Sequence, residues 1–512
     1  TSGTSNLRLG VNAGNSITSG GNYNVVVGDE AGTAITTGDQ ITAVGYQAGA
    51  AMATNSQSSF FGYQAGLLTT GSGNNFFGAF AGDANTSGIN NVAMGNLALS
   101  ANVDGDDNTA IGSNALRNLE PADGSSYNTA VGSQAGLAVT TGTSNTLIGG
   151  LAGTALTSGF GNTAVGVNAL KTEDAHGSNV AIGYKALEDL NAGAEAFNIA
   201  IGYESGQNIT TGVSNTIVGT NAGDALTDAD FNVAIGKSAL GADTLGSRSV
   251  AIGTFNLEVQ NFTTATDVYN TAVGHGAGAV VTTGIRNTLI GGKAGVALTD
   301  ADKNVAIGYA ALSADTLGSR SVAIGNAALE VQNFTTATDT YNVAIGDNAG
   351  AKVTTGNLNT LIGGLAGDAL TSGNGNVAVG YNTLSADTLG DRNVALGNHA
   401  LSSQNFTTTT DAYNVAVGFF AGKAITTGTQ NTLIGGLAGD ALTTGSLNVA
   451  VGYGALSTDD LGSQSVAIGR NALGAQNYAT ATNSVNTAVG YEAGLSITTG
   501  IANTLIGEQA GD

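Results

Sequence analysis

The sequence predicts an all-β fold: a parallel β-solenoid, or β-roll, of about 29 coils of ~17 residues, assembled as an elongated homotrimer. Three observations lead there. A pentapeptide of the form N-x-x-[IV]-G recurs along all 512 residues, as in Asn359–Gly363 and Asn376–Gly380. Its step is short and carries no helical period. Its apolar residues stand side by side instead of alternating with polar ones.

Taking the closing Gly as marker, the motif falls 29 times between Gly10 and Gly507, most often 17 residues apart. From Gly274 the steps run 17, 17, 17, 21, so that Gly274, Gly346, Gly418 and Gly490 are each 72 apart. Self-similarity at a fixed short step is the signature of a repeat architecture. Seventeen residues without a 3.6-residue apolar period hold two or three short strands and their turns, which is one coil of a solenoid. The array reads as a single continuous domain over 1–512. It is less regular over 1–127 and regular over 128–512, with the 72-residue superrepeat clearest from 253. At ~4.8 Å per coil, 29 coils would make a thin rod on the order of 140 Å long.

Each column of the repeat has its own chemistry. The residue before the marker is apolar in all 29 units, and the one before that in 28, with Arg8 the exception. Asn stands four before the marker in 24 units; Ile41, Ser58, Ser249, Ser321 and Ser465 are the departures. Stacking turns this column into a row in which amides can bond from coil to coil, and Asn also tolerates a turn conformation at a strand entrance. The predicted ladder includes Asn270, Asn287, Asn304, Asn342, Asn359, Asn376, Asn393, Asn414, Asn431 and Asn448. A TTG or TSG turn follows, for example at Thr354–Gly356.

Adjacent strand residues face opposite sides, yet pairs such as "LI", "AI" and "AV" are apolar at both positions. One side fills the coil. The other needs a partner surface along the array, which three parallel copies around a shared axis would supply.

Composition bounds the function. With 37 acidic and 14 basic residues the net charge is −23, which disfavours nucleic acid and anionic membranes, since both recruit basic patches. No Cys is present, so no disulfide framework or thiolate metal site is expected. No apolar stretch is long enough to be a membrane-spanning helix, and no direct membrane insertion is expected. Thr1 opens directly into the pattern, so the sequence reads as an interior or trimmed segment of a longer chain.

The strings "NVAIG", "NTAVGYEAG" and "NTLIGG" followed by "AG" resemble the Gly-rich, left-handed β-roll repeats of trimeric autotransporter adhesin heads and of phage tail-fibre proteins upstream of an intramolecular chaperone domain. The resemblance implies a structural and adhesive fibre shaft on a virion or cell surface, extracellular, engaged in host or surface attachment through a glycan or cell-surface receptor. An extracellular filament without a receptor, polymerising end to end, is the alternative reading, and a polysaccharide-cleaving spike a remote one.

Every fourth coil carries four extra residues: Gln260–Asn270, Gln332–Asn342, Gln404–Asn414 and Gln476–Asn486. Insertions in repeats map to loops, often on the binding face. Phe262, Tyr269, Phe334, Tyr341, Phe406, Tyr413 and Tyr478 are therefore candidate surface contacts, with inward packing of the rings as the plainer expectation. Asp228/Asp230 and Asp300/Asp302 match no calcium-loop spacing and read as solvated turn carboxylates. His176, His275 and His399 stand apart in sequence, and no nucleophile elbow, zinc motif or P-loop occurs. The acidic stretch Asp104, Asp106, Asp107 reads as a loop, and paired Thr at the TTG turns only weakly suggest ice or mineral binding. No enzyme activity, cofactor or metal is expected.

Overall fold

The structure, a computed structural model, describes residues 3–121 and 124–512. They form an all-β parallel solenoid with 29 three-residue strands, one per coil, and no helix. Accordingly, no helix among the described residues is long and apolar enough to cross a membrane. The chain divides into two compact units, one of residues 1–252 and 261–267, the other of 253–260 and 268–512.

Within the first unit, strands run from Leu7–Leu9 to Val250–Ile252, each parallel to and in register with the next, as Thr146 opposite Thr163 illustrates. Two further two-residue pairs, Gly105–Asp106 with Gly124–Ser125 and Gly246–Ser247 with Thr266–Asp267, each join a 17-residue coil to the longer coil after it. Within the second unit, strands run from Thr271–Val273 to Thr504–Ile506 in the same manner, and Gly318–Ser319, Gly390–Asp391 and Gly462–Ser463 pair with the inserted loops.

Each coil holds one regular strand, fewer than the two or three its length allows. The reason is backbone geometry. Several non-Gly positions per coil adopt φ near +55°, among them Tyr341, Asn348 and, in the Leu variant, Leu384; these left-handed residues end a strand. Backbone hydrogen bonds still run from coil to coil through the turns, as in Gly350 N–H to Ala366 C=O and Thr354 N–H to Thr371 C=O.

The marker Gly is fixed by two constraints. At Gly435 φ is +136°, and an added Cβ would lie 2.5 Å from the carbonyl oxygen of Gly452 in the next coil. No side chain fits that approach.

Except in the first and last strands, where Arg8 is exposed and Leu505 half-buried, the central residue of each three-residue strand points inward and is fully buried: Ala344, Leu361, Ala378 and Leu433 in the second unit, Leu147, Ala164 and Phe60 in the first. Seven residues after the marker lies a second interior column, which includes Val281, Leu298, Val353 and Leu370. These facing columns are the core of each coil.

Candidate interaction surface

Three side-chain ladders reinforce the backbone. Asn359 shows the first. Its Oδ1 accepts the N–H of Asn376 at 3.0 Å, its Nδ2 donates to the carbonyl of Gly373 at 2.8 Å, and its own N–H donates to Oδ1 of Asn342 at 2.9 Å. Asn270, Asn287, Asn304, Asn376, Asn393, Asn414, Asn431 and Asn448 stand in the same row, all fully buried. Where Ser321 interrupts the row, its N–H still donates to Asn304, and Gln332 from the inserted loop donates to its hydroxyl.

A second ladder is of Thr. Thr354, Thr371, Thr426 and Thr443 each donate a hydroxyl to a carbonyl one coil on. A third is of carboxylates. Asp230 and Asp302, expected as solvated, accept the N–H of Val213 and Ile285 from the preceding coil at 2.8 Å. Asp228 and Asp300 accept from Thr211 and Thr283 hydroxyls. Thr86 and Ser87 likewise donate to Asp104, which holds its carboxyl below the ordinary value, while Ile89 N–H donates to Asp106 and Ser125 to Asp107.

The outer face of the strands is different in kind. The first strand residue is chiefly Thr or Val and the third Ile, Val or Leu, and both are incompletely covered; Ile345 is 36% and Ile434 40% exposed. Beside them, five before the marker, runs an exposed ridge that includes Tyr341, Leu358, Tyr413, Leu447 and Val485 in the second unit and Tyr23, Tyr127, Phe197 and Phe231 in the first. Of the 37 acidic residues, only Asp107 stands in any of these three columns. Five of the 14 cationic residues stand in the ridge: Arg248, Arg286, Lys303, Arg320 and Arg392. Arg320 pairs with Asp339 at 2.8 Å and lies over the Tyr341 ring, and Arg392 is placed likewise against Asp411 and Tyr413. The surface thus mixes apolar and aromatic side chains with Thr and other neutral polar ones, is edged by cations, and is almost free of carboxylates.

The loop aromatics divide. Phe262, Phe334, Phe406 and Tyr478 are buried, which removes them from any contact surface, while Tyr269, Tyr341 and Tyr413 are about half exposed. Phe255 and His275 meet edge to face, and His399 lies between Tyr381 and Phe420.

A feature that sequence reasoning missed is a buried acid seven after the marker: Asp243, Asp315, Asp387 and Asp459, each in the coil before an inserted loop. The column is mostly apolar but also holds buried Gln260, Gln332, Gln404 and Gln476, one coil after each of these acids, a signal hidden because "SADTLG" looks like an ordinary turn. Glu173 takes the corresponding place in the first unit. Its oxygens accept the N–H of His176 and of Ala192, and burial pushes its carboxyl up. Glu173, Asp174 and His176 are the one group of potential metal ligands brought within 4.8 Å among the described residues, but Glu173 is already engaged as an anchor for the following coil.

No protein-family model matches the chain, and no curated protein matches it in sequence.

Proposed function

We propose that the chain is the shaft of an extracellular fibre, a phage tail fibre or a trimeric bacterial surface adhesin, in which parallel copies associate through the outer strand face. The observation that carries this reading is the carboxylate-poor, apolar face repeated on coil after coil of a chain with net charge −23. Copies so acidic repel one another, and they can approach only where acids are missing. If each coil buries on the order of 40 Å² more apolar surface, it contributes about 1 kcal/mol. The 29 coils together then outweigh the ~4–15 kcal/mol cost of association. Stiffness follows from the backbone, Asn and Thr ladders, which leave little backbone free to bend.

Tyr269, Tyr341 and Tyr413, on the ridge that flanks the strands and at the ends of the inserted loops, are the contacts we assign to a glycan or cell-surface receptor, the copies meeting through the strand columns themselves. The test is binding of the purified protein to intact bacterial cells, comparing wild type with a triple variant carrying Tyr269→Ala, Tyr341→Ala and Tyr413→Ala. Loss of binding in the variant supports the assignment. Equal binding by both removes the loops from the receptor role.

A further inference from the structure

Two of the 29 three-residue strands differ from the rest on their outer face. In the column that closes each strand, Val or Ile stands in 24 coils, and the exceptions are Leu9, Phe61, Phe77, Met94 and Leu396. In the column that opens it, Thr or Val stands in 25, and the exceptions are Leu7, Ser59, Asn75 and Ile199. Ser59–Phe61 and Asn75–Phe77 thus place an aromatic ring beside a shorter polar residue on the same face, and they are neighbours in register. The outward rings of Phe61 and Phe77 stack with centroids 4.8 Å apart and planes within 8°, and Phe61 is 37% exposed.

The coil interior holds these rings in place. Phe60 and Phe76, the only aromatic residues in the central column, are fully buried with centroids 5.7 Å apart. A Cβ at Gly82 would come 2.5 Å from the Phe76 ring, and one at Gly66 would collide with Phe60 in the same way. The step from Gly62 to Gly78 is 16 residues, the shortest in the array. The interior is filled to its wall, so the backbone that carries the outer rings has no room to move inward.

A repeated face does not by itself tell two copies how to align. Sliding one copy by a coil, ~4.8 Å, sets Val against Ile or Thr against Val and changes the buried area little. A uniform interface of this kind specifies its register weakly. We propose that Phe61 and Phe77 lock the axial register of the assembled copies, each ring entering the recess beside Ser59 or Asn75 of the neighbouring copy. This inference rests on the reading that copies associate through the strand columns. When the copies are level, every ring meets a recess. A slip of one coil sets Phe77 against Val92 of the next copy and leaves Ser59 facing Val44, and a slip of two coils separates rings and recesses altogether. Buried aromatic anchors of this size dominate interface energetics, so one aromatic cluster can decide among otherwise equivalent alignments.

The chain has no Cys, so an introduced one is a unique handle. Ile148 and Val165 stand in the outer column one coil apart. Full-length chains carrying Ile148→Cys are co-assembled with chains carrying Val165→Cys and oxidised. Like positions link when copies are level, and unlike positions link after a slip, since a disulfide does not bridge Cα atoms more than ~7 Å apart. With the native rings, like links should outnumber unlike ones about tenfold or more. Phe61→Val with Phe77→Val should keep the native mass and bring the two kinds of link to parity. A second variant, Ser59→Thr, Phe61→Val, Val92→Ser and Met94→Phe, moves rings and recesses one coil on. Carrying Val165→Cys and mixed with otherwise native chains carrying Ile148→Cys, it should reverse the preference and link 165 to 148. Parity with the native rings, no links in a three-chain particle, a Val variant that links as cleanly as the native chain or falls to one chain, or a shifted variant that still links like to like would each overturn the register lock and leave the association itself standing. A native chain that stays at 50.0 kDa would remove the association and the lock with it.

Discussion

Replacing Asn359 by Ala removes three buried bonds to the next coil, and no neighbour can replace the two made to backbone groups. The N–H of Asn376 loses its acceptor and the carbonyl of Gly373 loses its donor. Both residues lie in the next coil, and Asn359 is itself fully buried. An orphaned buried backbone group costs about 1–3 kcal/mol, so the pair costs about 2–6 kcal/mol. A repeat array of this kind opens locally and not all at once, so a single melting temperature would understate the effect. Hydrogen exchange across residues 359–380 is the appropriate readout. An opening free energy lowered by about 2 kcal/mol corresponds to exchange about 30-fold faster, and the larger figure to far more. Asn359→Ser should behave almost as badly. Ser is tolerated at 321 because Gln332 and Thr340 hydrogen-bond to its hydroxyl. A change below about fivefold, under ~1 kcal/mol, would mean that the amide row contributes little and would refute the reasoning.

The remaining perturbations separate inner from outer positions. Gly435→Ala, where φ is +136° and a Cβ would meet the Gly452 carbonyl at 2.5 Å, should disrupt its coil and sharply reduce soluble protein. The adjacent Gly436→Ala, whose Cβ would lie 3.4 Å from the Tyr453 ring, should express and fold normally. Leu433→Ala, in the coil interior, should lower local stability by about 2–5 kcal/mol by hydrogen exchange. Ile434→Asp, on the outer face, should leave the coil folded by far-ultraviolet dichroism yet weaken association in sedimentation. Arg320→Ala, which breaks an exposed pair with Asp339, should leave local exchange essentially unchanged.

The repeat makes the solenoid legible because a fixed step fixes which residues stack. Spacing alone places Asn359 and Asn376 in one row. Which of two apolar neighbours faces inward is harder to read. In "NVAIG" the small Ala is buried and the larger Val and Ile face out, the reverse of the usual size order, because a 17-residue coil leaves a narrow interior. The Thr ladder is only half visible, since its column passes from "TTG" at Thr354 to "LTS" at Thr371 and "DTL" at Thr388. The buried acids are hidden for a similar reason. Asp315 differs from a turn aspartate only by its column, and its column shows itself only once Leu298 and Gln332 are seen stacked with it. Turn carboxylates such as Asp302 look solvated because sequence does not reveal that their acceptor oxygens cap the coil before them.

The association of copies through the acid-poor face is measured most directly by the mass of the native particle in dilute solution, by sedimentation equilibrium or light scattering. Three times the 50.0 kDa chain mass is the value expected, falling toward one chain for Ile434→Asp. A stable wild-type species of 50.0 kDa, soluble with that face in water, would contradict it.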